Sequence, residues 1–106
     1  MSRLKEAIKR GSPDSAIDYL ALHDFISVMK EKLSQKRKEG RGGWYNDDEC
    51  DVLELYNLLS EHFHKLAPED DFIEAMDPHQ LVDIANLAMF LYHRIITLKG
   101  CSHDTE

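Results

Sequence analysis

Asp77 to Leu98 reads DPHQLVDIANLAMFLYHRIITL, and the fold turns on how this stretch distributes its apolar side chains. The pattern predicts a helix, because successive residues advance by about 100° and the apolar ones then cover most of the circumference. Leu81, Val82, Ile84, Ala85, Leu87, Ala88, Met89, Leu91, Tyr92, Ile95, Ile96 and Leu98 make up that arc. His79, Asp83, Asn86, His93, Arg94 and Thr97 collect in one narrow polar strip, with Phe90 among them. A helix apolar over so wide an arc has to be covered on several sides, by its own domain or by another subunit. Asp83 and Asn86 stand one turn apart on the strip and point the same way. The strip is either a solvated edge or the lining of a polar site in which Asp83 is the charge. Asp77-Pro78-His79-Gln80 starts the helix with an aspartate N-cap, proline at the first position and glutamine at the third. That is close to a capping box, which gives Gln80 a structural role.

Upstream, Ser2 to Arg10 reads as a short basic turn or helix ended by Gly11. Ser12-Pro13-Asp14 marks the next start, with Ser12 as N-cap. From there to Lys38, Leu22, Ile26, Met29 and Leu33 recur at helical steps, in one helix or in two broken near His23-Asp24. Lys36, Arg37 and Lys38 followed by Gly40 close it. Gly40-Arg41-Gly42-Gly43-Trp44 is the glycine-rich loop, but a phosphate cradle needs such a loop to feed the positive end of a helix. The following helix, expected from about Asp48 to Leu66, opens with Asp47, Asp48 and Glu49, which repel an anion, and the Walker lysine is missing. Its core face is Val52, Leu55, Tyr56, Leu59, Phe63 and Leu66, with Asn57, Glu61 and His64 on roughly the opposite side. Glu61 and His64 are either an ordinary wet face or a carboxylate and imidazole offered to a metal ion by one helix. Ala67 to Met76 reads as an acidic connector in which Phe72 and Ile73 tuck inward. No stretch reads as a strand. The expectation is an all-α single domain over residues 1–106, a bundle of three to four helices with an arm at 1–11 and a flexible tail at 100–106.

A chain of 106 residues supports one core, and its formal charge of −7 argues against non-specific DNA or membrane binding. It leaves room for a nucleotide whose phosphates are carried by a metal. Cys50 and Cys101 lack zinc-ligand spacing, and with no signal peptide both are expected as free thiols in a reducing cytoplasm. Arg94 interrupts the best candidate for a bilayer span. Among the six histidines, His62 and His64 diverge on a helix and His79 and His93 lie nearly four turns apart, which argues against a structural zinc.

The order of these features resembles a known family. Phe25…Met29…Lys32-Leu33…Arg37…Gly42-Gly43-Trp44, then Leu55-x-x-Leu58-x-x-Glu61-x-x-His64, then Val82-Asp83-Ile84-Ala85-Asn86…Ala88-Met89, resembles the MazG-like all-α nucleoside triphosphate pyrophosphohydrolases. The small versions carried by bacteriophages are the most similar, which would place the protein in a host cytoplasm. The resemblance implies E-x-x-E on one helix and E-x-x-D on a later one, because carboxylates three apart on facing helices surround a hard cation with oxygen. Glu61 matches the first glutamate and Asp83 the final aspartate, while His64 and Gln80 stand where carboxylates are expected. Glu74-Ala75-Met76-Asp77 spells E-x-x-D literally but coincides with a helix start. The implied reading is a Mg²⁺ or Mn²⁺ enzyme, with zinc or another transition metal as options for a site of Glu61, His64 and Asp83. Glu61 and Asp83 would be catalytic. Asn86 would orient water or phosphate, Lys32, Lys36 or Arg94 would contact phosphate, and Trp44 or Tyr45 would stack on the base or pin the loop. The alternatives are a catalytically inactive module that holds a nucleotide or protein partner, and a structural helical assembly protein. The resemblance and the wide apolar arc both imply a homo-oligomer, a dimer or tetramer.

Overall fold

A computed structural model describes residues 2–66 and 76–99, and every regular element among them is a helix. The order is α1 (Arg3–Arg10), α2 (Asp14–Lys38), α3 (Val52–Leu66) and α4 (Pro78–Lys99). The acidic connector with Phe72, Ile73 and Glu74, and the tail with Cys101, lie outside the described residues. The all-α expectation holds.

Local chemistry sets the ends. Ser2 Oγ accepts from the amides of Leu4 and Lys5 at the start of α1, and Gly11 closes it at φ 73°. That left-handed turn is one a glycine enters without a Cβ penalty. Ser12 does not cap α2. Pro13 occupies the cap position without a side-chain hydrogen bond, and its carbonyl receives the amides of Ala16 and Ile17. The helix then runs unbroken through His23-Asp24 to the cationic last turn. α3 begins four residues later than expected. Asn46 Oδ1 accepts from Asp48 N at 2.9 Å and Asp51 Oδ1 from Leu53 N at 3.2 Å, so Asp47 to Glu49 form a turn rather than a first helical turn. Asp77 Oδ1 accepts from His79 N at 3.0 Å, the N-cap expected of α4.

α4 is the hub, packing most extensively on α3 and next on α2, while α1 rests on α2. Its orientation is the chief surprise. Asp83, Asn86 and Arg94 are buried with Val82 and Leu87, whereas Leu81, Tyr92, Ile95 and Leu98 are exposed. The middle of the polar strip faces inward, its ends at His79 and Thr97 are exposed, and part of the apolar arc faces out. On α3, Leu55 and Leu66 are buried but Tyr56 and Phe63 are exposed, so the inner face is rotated toward Leu59 and His62. α2 buries none of its 25 residues. By length and composition α4 does suffice to cross a membrane, despite Arg94. Its three buried polar side chains instead have partners on α2, α3 and the 44–50 loop, as set out below.

Candidate functional site

Asp83 is where three helices meet. It is 7% exposed, and a buried carboxylate is stable only beside compensating charge or hydrogen-bond donors. α2 supplies two ammonium groups one turn apart, with Lys32 Nζ at 3.5 Å and Lys36 Nζ at 3.9 Å from Asp83 Oδ1. α3 supplies His62, whose Nδ1 lies 3.7 Å from Asp83 Oδ2. The same Nδ1 shares a 2.6 Å hydrogen bond with Gln80 Oε1 from the first turn of α4. Gln80 therefore reaches across to α3 instead of serving only its own helix start. One turn beyond Asp83, Asn86 is 2% exposed and donates weakly to the carbonyl of Met29 at 3.5 Å. Asp83 Oδ1 and Asn86 Oδ1 are both buried without a hydrogen-bond donor.

A cavity of about 190 Å³ adjoins this cluster. Leu33, Leu55, Leu58, Leu87, Phe90 and Trp44 form its apolar walls, and His62, Asp83 and Asn86 form a polar flank. Lys36, Arg37 and Arg41 also line it, and both arginines are exposed, so the cavity reaches solvent on its cationic side. Lys36, Arg37 and Arg41 set three cations against the Asp83 carboxylate in the lining, with Arg41 Nε also 3.6 Å from Glu39 Oε1, on a chain whose net charge is −7. Lys32 lies on the other side of Asp83, along an open groove lined by Phe25, Val28, Leu81 and Val82.

The loop between α2 and α3 is fixed from behind. Arg94, 6% exposed, donates through Nη1 to the carbonyls of Trp44 at 2.7 Å and Cys50 at 2.9 Å. Its Nη2 is bonded to the Asp47 carboxylate. Trp44 stacks on Phe90 at 4.6 Å between ring centroids and 9° between planes, and meets Tyr45 edge-on. Gly43, buried at φ 73°, turns the loop where the Glu49 side chain leaves no space for a Cβ. Partial burial, then the carboxylates of Glu54 and Asp51, push the Cys50 thiol up, which disfavours the thiolate.

The expected site residues are thus divided. Lys32, Lys36, Asp83 and Asn86 converge. Glu61 and His64 are exposed on α3, and His64 Nδ1 is bonded to the carbonyl of Ser60 on its own helix at 2.7 Å. Among the described residues, no three His, Cys, Asp or Glu side chains are grouped to hold a metal ion. The Glu61–His64–Asp83 set is therefore not assembled. Among the described residues, the groups nearest the one buried carboxylate are two ammonium groups, which suit an anion better than Mg²⁺ or Mn²⁺. Arg94, expected to contact phosphate, is spent on loop carbonyls. Trp44, expected to stack on a base, gives one face to Phe90. His62, Gln80, Arg37 and Arg41 enter the site although none of them was among the expected ligand-binding residues. The signal for the arginines was their position flanking Lys36 and Gly42; for His62 it was its place one turn beyond Leu58 on α3. Compared with protein-family models, curated proteins and solved structures, the chain gives no match.

Proposed function

We propose that the chain is a nucleotide-binding module of MazG-like helical type that grips phosphate directly with side-chain cations, without efficient hydrolysis. The observation that carries this reading is the ring of Lys36, Arg37 and Arg41 at the mouth of an apolar cavity, with Asp83 already neutralised by lysine. Guanidinium and ammonium groups are the side chains suited to phosphate oxygens. The apolar walls suit a base or similar ring, but 190 Å³ is smaller than the roughly 300 Å³ at which ligand pockets usually begin. Part of the ligand accordingly lies over the rim. The competing reading, metal-dependent cleavage between the α and β phosphates, needs Glu61 as an indispensable ligand. Titration of ADP by calorimetry into the wild-type chain and Glu61→Gln tests this. Affinities within about twofold of each other are expected, as Glu61 is exposed on α3. Loss of binding in the variant would return the metal reading.

The module is further proposed to act as a homo-oligomer. Leu22, Phe25, Ile26 and Val28 on α2 and Leu81, Tyr92, Ile95 and Leu98 on α4 are exposed, more apolar surface than one small domain ordinarily leaves in water. Light scattering should give at least twice the 12.3 kDa chain mass, and Ile26→Glu should lower it. A monomer at high micromolar concentration would contradict this.

A further inference from the structure

We infer that Asp83 is a built-in competitor for the ligand: in the free protein its carboxylate occupies Lys36, and a phosphoryl dianion takes that lysine over. The inference rests on the phosphate-binding reading above and adds how the site discriminates. Three observations carry it. Lys36 is shared, lining the cavity while standing 3.9 Å from Asp83 Oδ1. The pairing is loose, since Asp83 Oδ1 is buried without a hydrogen bond despite two ammonium groups nearby. Asp83 also has Lys32 at 3.5 Å to fall back on, so losing Lys36 does not strand it.

A tight ion pair would resist exchange, because separating a buried charge from its partner is costly. A pair held beyond hydrogen-bond distance gives way to an anion that can do better. A phosphate monoester or terminal phosphoryl group can, as it presents two charges and three oxygens to Lys36 and the neighbouring guanidinium groups together. A carboxylate offers only the single charge that Asp83 already supplies. The site therefore favours phosphoryl dianions over carboxylates.

The test is calorimetry of the full chain at pH 8 with inorganic phosphate and with acetate, for wild type and Asp83→Asn. Wild type should bind phosphate at least tenfold more tightly than acetate, and the variant should bind phosphate at least tenfold more tightly than wild type. Equal affinity of wild type for the two anions would overturn the discrimination. Unchanged or weaker phosphate binding by a folded Asp83→Asn chain would overturn the competition while leaving the phosphate reading intact. Absence of phosphate binding in both proteins would overturn the two together. Should the variant fail to fold, the Asp83 side-chain carboxyl carbon of wild type decides by NMR. Its resonance should move on phosphate addition, and a fixed resonance at saturation overturns the inference.

Discussion

Arg94→Met should lower the unfolding midpoint by roughly 10 °C or more, the largest stability effect expected of any single change at the site. Methionine keeps the apolar stem and removes the guanidinium, so the effect isolates the hydrogen bonds. Two loop carbonyls, those of Trp44 and Cys50, then lose a charged donor. Hydrogen bonds to charged groups contribute about 1.5–3 kcal/mol each, which sets the loss on the order of 3 kcal/mol. For a domain near 100 residues each kcal/mol moves the midpoint by about 4–8 °C. The Asp47 pairing adds little, because the Asp47 side chain is 74% exposed and solvent screens it. Asp47→Asn should consequently leave the midpoint nearly in place. A thermal melt that ranks the two variants the other way would show that the loop is held from its surface. Because the clamped loop brings Gly42, Trp44 and Cys50 to the cavity wall, Arg94→Met should weaken ligand binding as well.

The largest effect on binding is expected of Lys36→Met combined with Arg37→Met. Both residues stand on the last turn of α2, where a rigid helix presents them to the cavity. Each lost charge-assisted contact to phosphate is worth about 1.5–3 kcal/mol. Each 1.4 kcal/mol is roughly tenfold in affinity, so the double variant should bind ADP at least about 100-fold more weakly. Asp83 retains Lys32, so the fold should survive, which circular dichroism checks. The pair Lys36→Arg and Arg37→Lys keeps the charge and should recover most of the affinity. ADP binding unaffected by loss of both cations would move the ligand elsewhere.

The boundaries of α4 and the end of α2 were legible because they are local. Asp77-Pro78 caps within a few residues, and Lys36 to Lys38 followed by Gly40 can hardly continue as helix. The start of α3 was misplaced because Asn46 and Asp51 hold Asp47 to Glu49 in a local turn, and Arg94, distant by 47 residues, draws Asp47 away. Periodicity grouped Asp83, Asn86 and Arg94 on one strip of α4. It could not say whether that strip faced water or protein, since a helix wheel has no outside. The apolar arc argued for inward-facing aliphatic residues, and the helix buries Val82 and Leu87 together with Asp83, Asn86 and Arg94 while Leu81, Ile95 and Leu98 stay exposed. His62 and Gln80 were invisible as a pair because they touch across two helices, 18 residues apart. Glu61 and His64 share a face of α3, as their spacing requires, but the face they share is exposed. Arg94 looked like a phosphate contact because sequence does not distinguish a guanidinium needed by backbone carbonyls from one left for a ligand.

The central claim is that Asp83 and Asn86, turned inward on α4, belong to an anion site walled by cations rather than to a metal centre. ATP titrated into the chain by calorimetry, once in excess EDTA and once in Mg²⁺ with pyrophosphate release followed alongside, tests it directly. The account predicts saturable binding in EDTA, no tighter binding in Mg²⁺ and no pyrophosphate above the uncatalysed rate. Binding that appears only with the metal, accompanied by pyrophosphate release that Glu61→Gln abolishes, would contradict it.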